Sequence, residues 1–443
     1  MAIWNPEMEQ MPRDRLRALQ GERLRASVAR AYERVPLYRQ RFDEAGVSPD
    51  DIRGLDDLSK LPFTVKSDLR DHYPFGLFAV PVNEVARIHA SSGTRGKLTV
   101  VGYTKQDLAL WGEVVARAIC LGGGAPGDII HNAYGYGLFT GGLGLQLGAE
   151  TLGATTVPVS GGNTPRQVTL LGDFGARVLC CTPSYALTIA EECERQGVDT
   201  AKLPLSYGIL GAEPWSDAMR AEIERRLNIV ATDIYGLSEV IGPGVSNECI
   251  EAKDGLHIAE DYFYPEVINP ETGEPLPPGE WGELVFTSLT KEAFPNVRYR
   301  TGDITRLIEE PCPCGRTSRR MARLRGRHDD MLIIRGVNVY PSEVEAVLLA
   351  LEEIAPFYQL VLDREGTLDT LEVQAEVTPA FVSGADNALE VGHPALGALH
   401  GRIGDELRSR LGLSVTVTLL PPNSLTRIEI GKAVRVVDRR TKD

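Results

Sequence analysis

The sequence has no uninterrupted apolar run that approaches the length needed to cross a bilayer, so we expect no membrane-spanning helix. It also lacks an N-terminal apolar h-region and a small-residue cleavage site, and we therefore expect a soluble, cytoplasmic protein. Positive charge is scarce, because 47 Lys and Arg stand against 61 Asp and Glu, a net charge of -14. This balance disfavours nucleic acid or an anionic membrane surface as a partner, so local charges must hold any bound phosphate.

Cysteine is also scarce, with seven in 443 residues. An odd number in a long chain without a signal peptide favours reduced thiols or metal ligands over a disulfide framework. Repeats and low-complexity tracts are absent as well. The chain is longer than a single hydrophobic core usually accommodates, and its 43% hydrophobic content is enough to form the cores of two domains or more.

The stretch Ser91 to Lys97 reads S-S-G-T-R-G-K and lies between two short apolar runs. It is not a P-loop, because that motif requires glycine at Ser91, Ser or Thr at Leu98, and a following helix. Its small hydroxyl side chains and two glycines leave backbone N–H groups free to surround an anion, and it adds two cations. The pattern predicts a phosphate cradle between two strands, and the alternative is a hairpin turn with solvated charges.

The stretch Tyr134 to Gly142 reads Y-G-Y-G-L-F-T-G-G and is not a dinucleotide fingerprint, because three residues separate Gly137 from Gly141. Three aromatic side chains among glycines predict a flat slot for a planar apolar group. An aromatic turn of the core is the equally good alternative.

Helical and strand patterns alternate from residue 105 to residue 234, which predicts parallel β-strands covered by helices. Among them we predict helices at 105–121 and 217–227 and a strand at 178–181. From Tyr262 the pattern changes to Pro/Gly turns and short strands. The predicted fold is therefore α/β: a large N-terminal domain of parallel β-sheets with helices plus a β-rich subdomain at 1–326. A hinge at 327–330 and a small mobile α+β C-terminal domain at 331–443 complete it.

Five further residues have side chains that suit a nucleotide site. Tyr235 can stack on a purine, and Glu239 can hold Mg²⁺ beside phosphates. Asp303 lies on a predicted turn, where it can accept hydrogen bonds from two ribose hydroxyls. Arg327 and Lys432 supply cations for phosphate or ribose oxygens. Each alone is more often a turn, a cap or a solvated charge, but their order along the chain favours one nucleotide site.

With these motifs the chain resembles the adenylate-forming superfamily of acyl-CoA synthetases, and most closely the phenylacetate-coenzyme A ligase family of aryl-CoA synthetases. The resemblance covers nearly the whole chain. The matching motifs are Ser91 to Lys97, Tyr134 to Gly142, Gly211 to Trp215, Tyr235 to Glu239, Gly242 to Gly244, Tyr299 to Asp303, Arg325 to Pro341, and Gly431 with Lys432.

The resemblance implies a role for each matching residue. The implied ATP-binding residues are Ser91, Ser92, Gly93, Thr94, Gly96, Lys97, Gly211, Ala212, Glu213, Asp233, Tyr235, Gly236, Asp303 and Arg327. The implied substrate-binding residues are Tyr134, Tyr136, Phe139, Gly141, Gly211 and Pro243. The implied catalytic residues are Lys432, Glu239 and Arg327, with Glu239 also the magnesium ligand and Asp329 the hinge about which the C-terminal domain rotates.

The activity that the resemblance implies is ATP-dependent ligation of an aryl acid to coenzyme A through an acyl-adenylate, with Mg²⁺ as cofactor. Phenylacetate is the expected acid, and a benzoate-type acid such as anthranilate or hydroxybenzoate is the first alternative. A nucleotide-binding protein that forms no thioester is a more remote one. By analogy with similar ligases we also expect a homodimer.

The sequence departs from the family pattern in three places. Arg95 stands where the family usually has threonine, and Leu98 where it has proline. A Pro-Cys-Pro-Cys-Gly segment adds Cys312 and Cys314, to which Cys249 and His257 could be added as zinc ligands. The alternative for these residues is a set of reduced structural cysteines.

Overall fold

The computed structural model describes residues 3–91, 98–327, 332–335, 337–365, 368–384, 393–429 and 432–440. The helices are α1 (Pro6–Glu9), α2 (Arg13–Arg34), α3 (Pro36–Glu44), α4 (Lys66–Asp71), α5 (Lys105–Leu121), α6 (Gly141–Leu152), α7 (Thr164–Asp173), α8 (Pro183–Arg195), α9 (Asp217–Leu227), α10 (Pro341–Leu348), α11 (Pro379–Ser383) and α12 (Pro394–Leu411). The strands are β1 (Arg87–Ser91), β2 (Thr99–Tyr103), β3 (Ile129–Asn132), β4 (Thr155–Val157), β5 (Val178–Cys181), β6 (Tyr207–Gly211), β7 (Val230–Leu237), β8 (Gly242–Glu248), β9 (Leu256–Ile258), β10 (Phe263–Ile268), β11 (Gly282–Ser288), β12 (Tyr299–Thr305), β13 (Leu307–Ile308), β14 (Arg320–Met321), β15 (Gly326–Arg327), β16 (Leu332–Ile334), β17 (Val337–Val339), β18 (Ile354–Glu365), β19 (Leu368–Val377), β20 (Thr416–Leu420) and β21 (Val436–Asp438).

The chain divides into two compact units. Unit 1 comprises Met1–Cys181, Asp199–Ala212 and Asn228–Leu324, and unit 2 comprises Thr182–Val198, Glu213–Leu227 and Arg325–Asp443. No helix of the described residues is long and apolar enough to cross a membrane.

The main sheet of unit 1 has the strand order β13-β14-β9-β8-β7-β6-β5-β3-β4. The strands β4, β3, β5, β6 and β7 are parallel to one another, which confirms the parallel arrangement predicted from the alternating pattern. On the other side of β7 the strands β8, β9, β14 and β13 are antiparallel, an extension that the sequence did not predict. The chain therefore reverses direction between β7 and β8.

Helices α5 and α6 pack closely beside this reversal. Helix α5 starts with a capping box, in which Thr104 Oγ1 accepts from the Asp107 amide at 3.1 Å and Asp107 accepts from the Thr104 amide at 2.9 Å. Glycines on α6 bring its backbone against α5: a Cβ at Gly144 would lie 2.5 Å from the Trp111 ring. Small residues at this contact hold the start of α6, and the loop before it, close to β8.

The predicted β-rich subdomain is present in unit 1. Strands β10, β11 and β12 pair antiparallel in that order, and both faces of β11 are buried. Strand β12 carries Asp303, so this small sheet bears one of the residues predicted to bind the nucleotide.

Unit 2 contains the predicted α+β unit. Its sheet has the order β20-β19-β18-β21, with β18 and β19 antiparallel and the outer strands parallel to their neighbours. Residues of α10 and α12 pack against this sheet in a hydrophobic core separate from that of unit 1, including Leu348, Leu360, Val373, Ile403 and Leu407.

Candidate active site

The turn of residues 237–241, between β7 and β8, is the centre of the candidate site. It needs a glycine at 236, because a Cβ there would overlap the carbonyl oxygen of Gly242. A β-bulge lies between Tyr235 and Gly236. The close approach of the two strands makes the turn tight, and Glu239 lies within it.

Glu239 is 6% exposed, and its carboxylate has no hydrogen-bond or ion-pair partner among the described residues. The backbone carbonyl of Glu239, in contrast, accepts hydrogen bonds from Lys291 Nζ at 3.4 Å and from Asn296 Nδ2. Carboxylate oxygens that are not engaged by neighbouring donors suit a cation that binds there.

Tyr235 and Asp303, predicted to bind adenine and ribose, lie side by side. The Tyr235 hydroxyl donates to Asp303 Oδ2 at 2.6 Å, although the two residues stand on strands of different sheets. The Tyr235 ring stacks against Phe286 at 6.5 Å between centroids. The order of the motifs along the chain does not predict this contact.

Gly211 on β6 pairs with Ile234 on the parallel strand β7. Ile234 directly precedes Tyr235. A Cβ at Gly211 would overlap the carbonyl oxygen of Ile234, and Ala212 takes a left-handed backbone with φ 71. The chain therefore turns sharply beside Tyr235. Asp233 lies on the same strand, where its carboxylate accepts from Arg323 Nε at 3.4 Å.

The aromatic stretch of residues 134–142 connects β3 to α6. Tyr134 is buried, Tyr136 is half-buried and Phe139 is 41% exposed. The Tyr136 hydroxyl accepts from Asn132 Nδ2 at 2.8 Å, and burial raises the pKa of Tyr136 to about 12, so the phenol is neutral and can still donate. The absence of a side chain at Gly141 leaves room for the Phe139 ring, because a Cβ at position 141 would lie 3.1 Å from that ring.

One hydrogen bond joins this aromatic stretch to the Glu239 turn, because Thr140 Oγ1 and Ser238 Oγ are 3.1 Å apart. In addition, the indole of Trp111 on α5 donates to the carbonyl of Pro243 on β8 at 3.0 Å. The predicted aryl residues and the predicted magnesium ligand therefore lie in one region of unit 1.

Of the predicted phosphate cradle, Ser92, Gly93, Thr94, Gly96 and Lys97 lie outside the described residues, as does Arg95. Ser91 ends β1 and pairs with Thr99 on β2 in an antiparallel ladder. The hydroxyls of both residues are buried and make no hydrogen bond with the described part of the chain. Two polar groups at the base of the stretch thus have capacity for a further partner.

The remaining predicted residues belong to unit 2. Glu213 accepts from the Ser184 amide at 2.7 Å and from the Ala433 amide at 2.9 Å, so its carboxylate holds the segment that begins with Lys432. Lys432 is exposed, and Arg327 ends β15. The predicted hinge residue Asp329 lies outside the described residues.

The cysteine and histidine residues proposed as zinc ligands converge in unit 1. Their ligand atoms all lie within 4.8 Å of one another, and all four residues are buried. Cys249 Sγ is 3.6 Å from Cys312 Sγ, and Cys314 Sγ is 3.3 Å from His257 Nε2. A hydrogen bond from the Cys249 thiol, reinforced by His257, lowers the pKa of Cys314 well below its usual range, so a thiolate is favoured there.

Sequence reasoning missed several residues that shape the site, namely Tyr103, Trp111, Asn132, Thr140, Ser238, Lys291 and Asn296. Lys291 is the most unusual of them. It is 1% exposed, and burial lowers its pKa to about 8. A fully buried lysine near an acidic turn is recognisable only once the fold is known.

Two family models match the chain. One is described as AMP-binding enzyme and covers residues 58–290, and the other as AMP-binding enzyme C-terminal domain and covers residues 336–440.

Curated relatives match over nearly their full length. A phenylacetate-coenzyme A ligase of Thermus thermophilus is 58% identical over 444 residues, which cover 99% of this chain and 100% of that one. A phenylacetate-coenzyme A ligase of Escherichia coli is 53% identical, over 96% of this chain and 95% of that one.

A solved structure of 2-hydroxyisobutyryl-CoA ligase in the postadenylation state, in complex with 2-HIB-AMP, has a TM-score of 0.90 and 29% identity. The alignment covers 98% of this chain and 91% of that one. The same ligase with 2-HIB-AMP and CoA in the thioesterification state has a TM-score of 0.72 and 30% identity, over 98% of this chain and 92% of that one.

Proposed function

The chain belongs to the phenylacetate-coenzyme A ligase family of AMP-binding enzymes, and we propose that phenylacetate is the acid that it activates. It is an ATP-dependent aryl-CoA ligase that forms an acyl-adenylate and transfers the acyl group to coenzyme A. The four curated relatives at 53% identity or more, all named phenylacetate-coenzyme A ligase, support the choice of acid.

The observation that carries the proposal is the contact from the aromatic stretch to the Glu239 turn. Thr140 meets Ser238, three residues after Tyr235, whose hydroxyl is hydrogen-bonded to Asp303. A ring bound near Tyr136 would thus present its carboxylate toward a nucleotide bound at Tyr235. Such proximity is what adenylation requires, because it converts attack on ATP into an effectively intramolecular step.

The reaction has two steps. A carboxylate oxygen attacks the α-phosphorus of ATP, the bond from that phosphorus to the bridging oxygen breaks, and pyrophosphate leaves. The thiol of coenzyme A then attacks the acyl carbon, loses its proton, and AMP leaves with one oxygen of the original carboxylate.

Each side chain has a proposed task in the first step. Asp303 accepts hydrogen bonds from the ribose, while the Tyr235 hydroxyl fixes the orientation of the Asp303 carboxylate. Lys432 neutralises the charge that grows between the carboxylate and the α-phosphate. Glu239 fits Mg²⁺, since its carboxylate has no partner among the described residues, and the ion would stabilise charge on the phosphate oxygens.

We propose that the C-terminal domain, at 331–443, rotates about Asp329 between the two steps. The related 2-hydroxyisobutyryl-CoA ligase has been solved in a postadenylation and in a thioesterification state, which supports two states in this family. Rotation would withdraw Lys432 once the adenylate exists and admit the thiol.

We also propose a structural zinc ion bound by Cys249, His257, Cys312 and Cys314. Tetrahedral zinc with bonds of about 2.3 Å to sulfur and about 2.0 Å to nitrogen separates two sulfurs by about 3.8 Å and a sulfur from a nitrogen by about 3.5 Å. The distances of 3.6 Å and 3.3 Å come close to both values. The buried donors therefore fit the ion, which would tie the Pro311–Gly315 segment to the end of β8.

The acid is tested by measuring pyrophosphate release with phenylacetate, benzoate, anthranilate and 4-hydroxybenzoate in parallel. Phenylacetate should give the highest kcat/KM, since its methylene separates the ring from the carboxylate. A higher value for any benzoate would assign the enzyme to that acid instead. The homodimer and the cytoplasmic location stay predictions of the sequence.

A further inference from the structure

Lys291 is a buried ammonium whose place in the fold calls for an explanation. The residue is 1% exposed, and within the described chain no carboxylate oxygen lies within 4 Å of its Nζ. The charges that act on it from further away are those of Asp107 and Glu239. A buried charge without a close counter-ion costs free energy, and an apolar side chain of the same length would fill the space at lower cost.

Two aromatic rings surround the ammonium. Nζ lies 4.9 Å from the centroid of the Tyr103 ring and 5.0 Å from that of Phe294, both in the range of cation–π attraction. These rings offset part of the desolvation cost and fix the direction of the lysine. Its hydrogen bond goes to the carbonyl oxygen of Glu239 at 3.4 Å.

The turn that receives this bond is held at three of its carbonyl oxygens, those of Ser238, Glu239 and Ile241. The carbonyl oxygen of Glu239 also accepts from Asn296 Nδ2, and the Tyr103 hydroxyl donates to the carbonyl of Ile241 at 2.9 Å and to that of Ser238 at 3.5 Å. Lys291 is the charged member of this set. The peptide units on both sides of the Glu239 side chain are thereby fixed.

The backbone of residues 291–293 is anchored to the start of α5. Asp107 accepts from the backbone amides of Glu292 at 2.7 Å and Ala293 at 2.9 Å, directly after Lys291 in the chain. The same carboxylate accepts from the Thr104 amide at 2.9 Å. The backbone that carries Lys291 therefore cannot shift without disturbing the helix cap.

We infer that Lys291 is a positioning residue for the adenylation half-reaction, which holds the Glu239 turn so that its carboxylate stays directed at the magnesium site. The inference rests on the proposed role of Glu239. Lys291 acts through the Glu239 backbone and touches no substrate. Since magnesium serves the departure of pyrophosphate, Lys291 should matter for adenylation and not for the later transfer to coenzyme A.

The test is Lys291→Met, which keeps the length of the side chain and removes both charge and donor. Adenylation should slow about tenfold or more, since a misplaced group near the reacting atoms can cost up to about 100-fold. The Mg²⁺ concentration for half-maximal rate should rise several-fold, although removal of a nearby positive charge would by itself favour Mg²⁺. The rate of thioester formation from supplied aryl-adenylate and the midpoint of thermal unfolding should not fall.

A binding measurement separates this inference from the activity itself. Titration calorimetry of ATP without Mg²⁺ should give the wild-type Kd for Lys291→Met, whereas the tightening by Mg²⁺ should be reduced. The matched control is Lys202→Met, the same substitution at an exposed lysine that pairs with Asp199. It should keep the wild-type dependence on Mg²⁺.

Lys291→Gln keeps a donor without the charge and should recover part of the loss. An unchanged requirement for Mg²⁺ in Lys291→Met, or equal loss in both half-reactions, would overturn the inference, as would variants of Lys291 that do not fold at all. A wild-type enzyme that releases no pyrophosphate with any aryl acid would contradict the proposed function instead, while the calorimetry would still report on Lys291.

Discussion

The Tyr235 hydroxyl donates a hydrogen bond of 2.6 Å to Asp303 Oδ2 and so connects strand β7 of the main sheet to strand β12 of the smaller sheet. Tyr235→Phe removes this bond and leaves the ring. The KM for ATP should rise at least about tenfold, since a hydrogen bond to a charged group contributes about 1.5–3 kcal/mol. Steady-state kinetics with phenylacetate held in excess measures the change.

A matched control for this variant is Tyr38→Phe. The Tyr38 hydroxyl is also buried in unit 1 and donates to the Pro295 carbonyl at 3.1 Å. Its loss should lower stability without any change in the KM for ATP. Equal effects of the two variants on that KM would remove the Tyr235 hydroxyl from the nucleotide site.

Glu239→Gln should abolish most adenylation while the fold is kept. The carboxylate has no partner among the described residues, so its replacement breaks no contact there. The loss of a group that stabilises developing charge is expected to slow pyrophosphate release about 100-fold. Circular dichroism should give a thermal midpoint close to that of the wild type, and undiminished pyrophosphate release would exclude Glu239 as the magnesium ligand.

Metal analysis of the purified protein should give about one zinc per chain. Cys312→Ser removes one ligand and should lower the zinc content and reduce the thermal midpoint by about 5 °C or more. Cys193→Ser is the control, because Cys193 is a buried cysteine of α8 outside the cluster. A protein without zinc and with an ordinary midpoint would show that the four residues are reduced structural side chains.

The two half-reactions should respond to different residues of the C-terminal region. Lys432→Ala should suppress adenylate formation and still convert supplied aryl-adenylate to thioester, because the ammonium acts only while charge grows at the α-phosphate. Asp329→Pro fixes φ and should form adenylate but transfer it slowly. Lys105→Ala, an exposed lysine at the start of α5, is the control for both assays. Equal damage to both steps in both variants would contradict the alternation of the domain.

Much of the fold could be predicted because local signals coincide with it. Helix α5 has the predicted bounds, Lys105–Leu121, since its apolar positions recur at helical spacing and its first turn carries a capping box. Strand β5 and helix α9 also have their predicted bounds. Two sets of residues that the sequence grouped together are also close in space, namely the four cysteine and histidine residues and the pair Tyr235 and Asp303. The roles of these residues stay predictions.

The rest depends on contacts between distant parts of the chain. Helix α6 begins with glycines that have low helix propensity, and it forms against Trp111 and Val115 of α5, where larger residues would not fit. Lys291 shows no periodic pattern in sequence and gains its role from Tyr103, nearly two hundred residues earlier. Such tertiary packing leaves no local signal.

The most direct test of the account uses phenylacetate labelled with ¹⁸O in both carboxylate oxygens, together with ATP, Mg²⁺ and coenzyme A. If the carboxylate attacks the α-phosphorus, the AMP product should carry one ¹⁸O atom and the pyrophosphate none, as mass spectrometry of both products would show. Unlabelled AMP, or label in inorganic phosphate released together with ADP, would contradict an acyl-adenylate and with it the assignment of the site.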